Sequence, residues 1–442
     1  LGGNAPPEIV GYHLEQAYRY REELGAPDAA IGGRAAEQLA RAADAATVRG
    51  DVRAAGAFYT RAAALLAEDD PARPRLLLGQ GEALREGTAG GAGQDALEAA
   101  VSTARAVGDT HVEWRARLLL ASMRAWRELE RGAAPALSEA HAAIAIAADR
   151  GDDVLAAWAW DLVCDVAMIR GRLAERLEAV EAGLRHARAA ADRQLEARLV
   201  IRSAPALLFG PTPVAEGLRI VDEAFARVGD VPVAQSFAAH VNGHLRARIG
   251  DHATARTEIA AWRDRMHELG RESMYVSAAT CLYEVHSLAG DWAAAEAAVR
   301  EGYAVLERRG DKLQMSTMAA LIGEACMHQG RIDEAERYAR LSAESGARDD
   351  EYNEVYWRTV LAQVLTRRGK RDEAVELARE AVALADGMEY VEHRGWTRLA
   401  LAEALGPGDE AARAAAEAMD IYERKGNLVM RDQASEMLQR SR

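Results

Sequence analysis

The chain is 442 residues long, carries a net charge of −14, and is 49% apolar but only 5% aromatic. That acidic balance lacks the basic face that phosphate neutralisation needs, which argues against a nucleic-acid reader. No run approaches 18 uninterrupted apolar residues, and three scattered cysteines (Cys164, Cys281, Cys326) fit a reducing, cytoplasmic setting better than a disulfide framework. Among 55 basic residues only Lys312, Lys370 and Lys425 are lysines. With the Ala content, that bias fits coding in a GC-rich bacterium.

The first residues, LGGNAPPEIV, have neither the basic nor the apolar segment of a secretory signal. The chain begins at Leu1, so it reads as a fragment of something longer. Residues 1–30 read as an N-terminal junction helix. Beyond them a turn recurs, with Gly followed by Asp, Arg or Lys at Gly50, Gly171, Gly250, Gly290, Gly330 and Gly369, and with Gly210-Pro211 on the same grid. From Gly171 onward the steps are 39, 40, 40, 40 and 39 residues. A second series falls half a period out of phase, at Gly108, Gly151, Gly229, Gly270, Gly310, Gly346, Gly387 and Gly426.

A Gly past a helix end supplies the left-handed conformation that stops it, and a following Asp or Asn caps the next helix. Two stops per forty residues define a two-helix unit. Ala sits five residues after the turn Gly, at Ala55, Ala215, Ala255, Ala295, Ala335 and Ala374, with Arg176 the exception. A small residue sits seven before it, at Ala43, Cys164, Ser203, Gly243, Gly323 and Ala362, with Tyr283 the exception. Small residues on both helices let the backbones of a pair approach closely.

The fold class predicted is all-α: a right-handed α-α superhelix, or solenoid, of about ten to eleven helix pairs, each leaning on the next. The first half of the array is placed at 31–210 and the second, with a C-terminal cap, at 211–442. A longer loop is expected at Arg85–Asp95 (REGTAGGAGQD), and a bend near 205–216, where Pro205, Pro211 and Pro213 interrupt helix pairing.

The turn Gly, the small residue before it, the Ala after it, and Trp160 eleven residues before its turn Gly together resemble the tetratricopeptide repeat, at a period near 40 rather than the family's 34. Long-period repeats of this kind are similar to the C-terminal helical regions of large bacterial signalling ATPases, among them MalT-like transcription activators and cyclase–ATPase proteins. The run Gly11-Tyr12-His13-Leu14-Glu15-Gln16-Ala17-Tyr18-Arg19-Tyr20-Arg21 resembles the segment joining ATPase to repeats in the cyclase-type group, and residues 35–66 resemble the first repeats after it.

In such repeats the first helix of each pair lines the concave side, with ligand-facing positions six and ten residues before the turn Gly. Carried over, these are Asp161 and Asp165, His240 and His244, Thr280 and Glu284, Ala320 and Glu324, and Thr359 and Gln363. Trp158 is a further candidate for the groove, and Trp160 for the packing face. This set is mostly acidic and has no Lys or Arg, so the resemblance implies a protein or peptide partner with basic character.

No phosphate loop, H-E-x-x-H, C-x-x-C or nucleophile-elbow pattern occurs. His240 and His244, at i and i+4, share a helix face, and His286 or Glu284 could join them as a third ligand, but a pair of polar histidines is the plainer reading. No metal and no cofactor are expected. The favoured function is a non-catalytic interaction scaffold, the sensor or partner-docking arm of a larger signalling protein, with no nucleic-acid or membrane partner. A small-molecule (inducer) sensor with an apolar pocket near the Phe209–Pro213 bend or the superhelix axis is the alternative, and an enzyme using His240 and His244 ranks last.

Overall fold

The computed structural model describes residues 5–85, 90–229, 231–346 and 350–442. Among them the regular structure is entirely helical. A first helix, α1 (Pro7–Glu23), precedes the pairs α2 (Ala29–Arg49) and α3 (Val52–Ala64), α4 (Arg73–Leu84) and α5 (Gly90–Val107), α6 (Thr110–Glu128) and α7 (Glu130–Arg150), and α8 (Asp153–Ile169) and α9 (Leu173–Ala189). The next pair has a broken first helix, α10 (Arg193–Arg202) and α11 (Ala204–Phe209), followed by α12 (Val214–Arg227). Then come α13 (Pro232–Arg248) and α14 (His252–Glu268), α15 (Glu272–Leu288) and α16 (Trp292–Arg309), and α17 (Lys312–His328) and α18 (Ile332–Ser345). The last are α19 (Glu351–Arg367) and α20 (Arg371–Asp386), α21 (Val391–Leu405) and α22 (Asp409–Lys425), and the capping helix α23 (Leu428–Ser441).

The turn chemistry follows the sequence closely. Gly50, Gly171, Gly250, Gly290, Gly330 and Gly369 all take positive φ, as do Gly108, Gly151, Gly270, Gly310 and Gly426. Asp51, Asp109, Asp152, Asp251, Asp291 and Asp311 each accept a bond from a backbone N–H three residues on. Gly210, Gly346 and Gly387 differ: their φ values are −77°, −70° and −75°, so these helices end without the left-handed stop. Two stops put a residue other than glycine at positive φ: Leu129 ends α6 at φ 48°, and Ala191 closes α9 at φ 53° before the capping Asp192.

Most of the small residues do what their spacing implies, but Ala215 is exposed on α12. A Cβ on Gly243 would lie 2.8 Å from Ile259, and one on Gly323 would lie 3.1 Å from the Ala335 carbonyl. Ala55, Ala255, Ala295, Ala335 and Ala374 are buried in these seams. The exceptional Arg176 turns its guanidinium onto the carbonyls of Cys164 and Arg202. The expected loop at 85–95 is shorter than its glycines suggest. Residues 86–89 lie outside the described residues, and α5 begins at Gly90, with Gly93 so close to Arg85 that a Cβ would clash with its backbone.

One first helix is split at Ser203, two residues before Pro205, into α10 and α11. Successive turns of the superhelix touch there. The Ala174 N–H donates to Glu389, the Tyr390 hydroxyl meets Met168, and Lys425 reaches the loop after α11, joining residues 213 to 222 positions apart. At the other end of the same seam, the Val52 N–H donates to the Leu269 carbonyl at 3.3 Å.

Candidate functional site

The first helix of each pair faces the superhelix axis, and α13, α15, α17, α19, α21 and α23 ring a cavity of about 580 Å³. The ring closes on itself: Arg248 of α13 donates to Glu392 of α21 at 2.9 Å, and Asn427, the cap of α23, donates to the other Glu392 oxygen at 2.9 Å. Phe209, from the bend of the preceding turn, lines the cavity and packs against Tyr390 at 5.7 Å and His393 at 6.5 Å between ring centroids.

The cavity walls combine aromatic faces with a few polar groups. Trp292 stacks on His328 at 3.7 Å, and Tyr356 lies against Trp396 at 5.0 Å. Glu324 is buried and accepts a bond from Tyr283 Oη at 2.5 Å. Its burial pushes the carboxyl up to about 7, and no cation pairs with it among the described residues. Gln363 Oε1 and His393 Nδ1, also on the wall, are buried without a hydrogen-bond partner in the protein. Buried polar atoms are nearly always bonded, so two such atoms on one cavity mark it as a place for a polar ligand group.

The carried-over residues separate into two groups. In the first superhelical turn, Asp161 and Asp165 are buried and paired with arginines: Arg198 at 2.9 Å and Arg202 at 2.7 Å on Asp161, and Arg202 at 2.8 Å on Asp165. These guanidiniums hold the Asp161 carboxyl well below the usual range despite its burial. Trp158 is sandwiched between Arg115 at 4.5 Å and Arg198 at 4.7 Å. This stretch of the axis is filled by the protein's own charge pairs, and Trp160 packs outward against α9, near Gly183.

In the second turn, Glu284, Glu324 and Gln363 converge on the cavity. Thr359 is buried and bonds its own helix at Val355, Ala320 is buried, and Thr280 is half-buried. His240 and His244 are buried between α13 and α15, with His244 Nδ1 3.0 Å from Glu284.

Positions six and ten before the turn Gly contain no cations, yet Arg248, two residues before Gly250, pairs with Glu392 and lies 3.6 Å from Glu284. Arg198 and Arg202, at i and i+4 on α10, likewise supply the charge that the repeat positions lack. Trp292, Tyr356, His393 and Trp396 fall outside the carried-over register.

No family model matches the chain, and no curated protein matches it by sequence. Among solved structures, a Rap protein complexed with competence and sporulation factor aligns over 74% of this chain and 96% of its own, at 14% identity and TM-score 0.49. Yeast Tom70 aligns over 98% and 96%, at 14% identity and TM-score 0.37. A signal transduction ATPase with numerous domains and a tetratricopeptide repeat sensor, from Pyrococcus horikoshii, aligns over 86% of this chain at 10% identity and TM-score 0.47, and this chain spans 56% of it.

Proposed function

We propose that this chain is a non-catalytic recognition arm, and that its site is the axial cavity of the second superhelical turn, not a groove running the length of the array. The cavity itself carries the reading: a concave, aromatic-walled space with unsatisfied polar atoms on a rigid ring of helices. The ligand is the end of a peptide or protein segment bearing a basic group. Its apolar part lies against Trp292, Tyr356 and Trp396, and its cation lies near Glu324, with Glu284 and Gln363 alongside. The run from Gly11 to Arg21 supports a place beside the nucleotide-hydrolysing module of a larger bacterial signalling protein, with this arm as its sensor.

A second reading, a small-molecule inducer, is favoured by the cavity volume, which falls within the range of roughly 300–1,000 Å³ usual for such sites. Thermal-shift screening of the full chain with short basic peptides and with compact organic cations separates the two, because a ligand that binds only the folded state raises the melting temperature with its concentration. Stabilisation by peptides that disappears in Trp396→Ala and weakens in Glu324→Gln supports the peptide reading. Stabilisation by compact cations alone supports the second. A peptide effect indifferent to both substitutions refutes the cavity as the site.

A further inference from the structure

Between α13 and α15, beside the cavity, four side chains of metal-binding chemistry meet. His240 and His244 stand at i and i+4 on α13, while Cys281 and Glu284 stand at i and i+3 on α15, so each helix offers two groups from one face. His240 Nε2 is 3.1 Å from Cys281 Sγ, and His244 Nδ1 is 3.0 Å from Glu284 Oε2. One ligand atom each from His240, His244 and Cys281 lie within 4.8 Å of one another, and all three residues are buried. A tetrahedral zinc ion with its usual N, O and S bond lengths spaces its ligand atoms about 3.3–3.6 Å apart, close to the separations found.

Two further observations point to an ion. His244 Nε2 is buried without any hydrogen-bond partner, although imidazole nitrogens in protein interiors are normally bonded. The shell is also built to hold one ring rigid: Trp262 stacks on His240 at 4.1 Å and 16°, and Phe237 meets it edge-on at 4.8 Å. The other cluster of this kind, Glu296, Cys326 and Glu334, is unlike it, because Arg300 and Arg331 already occupy both carboxylates.

We propose that His240, His244 and Cys281 form a zinc site that clips two neighbouring repeats together, with Glu284 orienting the His244 ring through Nδ1. Two neutral imidazoles and one thiolate, with the Glu284 carboxylate close by, offset the 2+ charge of the ion, and a ligand set of nitrogen and sulfur suits zinc over harder cations. Binding replaces the Cys281 S–H bond with an S–Zn bond and releases one proton to solvent. The site shares Glu284 with the cavity wall but needs no cavity ligand.

The test uses the full chain, stripped with a chelator and titrated with Zn²⁺ or Co²⁺. One tightly held equivalent of zinc is expected, together with a higher melting temperature and, for cobalt, a thiolate-to-metal charge-transfer band. Cys281→Ser and His240→Gln should each weaken zinc binding at least about 100-fold, since loss of a ligand exceeds the 10–100-fold cost of losing its outer partners, and Cys281→Ser should abolish the cobalt band. Cys326→Ser should leave all of this unchanged. Absence of stoichiometric zinc, zinc retained by Cys281→Ser, or zinc lost in Cys326→Ser overturns the proposal. Should Cys281→Ser fail to fold, the cobalt spectrum of the unaltered chain decides, its charge-transfer band being required.

Discussion

Lys425 and Leu207, 218 residues apart in sequence, are joined by a 2.9 Å hydrogen bond from the lysine ammonium to the leucine carbonyl. The same nitrogen donates to the carbonyls of Gly210 at 2.8 Å and Thr212 at 2.7 Å. All three acceptors lie at or just past the C-terminus of α11, where the helix leaves carbonyls unpaired and the helix dipole favours a cation. One of only three lysines in the chain therefore fastens the bend of one superhelical turn to the last repeat of the next. This join also sets Phe209 against the cavity.

Lys425→Met removes this fastening while keeping the stem's bulk. Leaving buried carbonyls unsatisfied costs about 1–3 kcal/mol each, and water entering the seam recovers part of it, so a net loss of roughly 2–4 kcal/mol is expected. Hydrogen exchange should locate the damage, with faster exchange in α11, at the start of α12 and at the end of α22, and unchanged protection in α2 to α8. A uniform loss of protection along the chain would contradict the seam as the place where the effect arises.

Acid should destabilise the array below neutrality through histidines that desolvation holds below their ordinary value, His393 with His240 and His328. His393 is buried among Phe209, Tyr352, Tyr356 and Tyr390, and burial pushes its imidazole down to about 4 from an ordinary 6.5. Between those pH values the unfolded chain binds the proton and the folded chain does not, so stability falls as pH drops, by up to roughly 1.4 kcal/mol per pH unit for this group. Further down, Asp161 adds to the loss. Its folded carboxyl titrates below its ordinary 3.8, so its stabilisation is present above that value and lost as pH falls through the folded one. Denaturant unfolding at pH 7, 5.5 and 4.5 checks this: His393→Phe, which suits the ring cluster, should flatten the slope between pH 6.5 and 4.5.

Much of this architecture is legible from glycine spacing because each turn is a local event. A left-handed Gly and an Asp cap act within five residues, so Gly290-Asp291 carries its meaning wherever it stands. What stays hidden is long-range. Nothing in the repeat register says that Arg198 and Arg202 fold back onto Asp161, or that the second turn seats itself on the first and gathers a concave groove into an axial cavity. Those outcomes depend on small rotations summed over more than five repeats, which no single repeat encodes. The carried-over positions therefore found Glu284, Glu324 and Gln363 but not His393 or Trp396, whose roles depend on ring closure between α13, α21 and α23.

The glycine-free turn at Ala191 offers a direct test of that local logic. Ala191 holds φ at 53°, where a Cβ costs roughly 1–2 kcal/mol. Ala191→Gly relieves the strain but adds about 0.5–1 kcal/mol of unfolded-state freedom, leaving a net stabilisation of about 0.5–1 kcal/mol. Ala191→Val, with a branched Cβ, should destabilise. Urea midpoints of the two variants moving in opposite directions, with unchanged slopes, would bear this out. Equal midpoints would mean that the backbone relaxes at this turn.

Glu324 links the cavity to pH in the opposite sense from His393. Because burial raises its carboxyl to about 7, the cavity wall gains a negative charge as pH rises through neutrality. A basic ligand should therefore bind more tightly at pH 8 than at pH 6, by roughly tenfold, which corresponds to about 1.4 kcal/mol. An anionic ligand would show the reverse. Isothermal titration of the best-binding basic peptide at pH 6, 7 and 8 measures the trend, and Glu324→Gln, which keeps the Tyr283 hydroxyl bonded, should flatten it. A pH dependence that survives in Glu324→Gln would contradict Glu324 as the recognition charge.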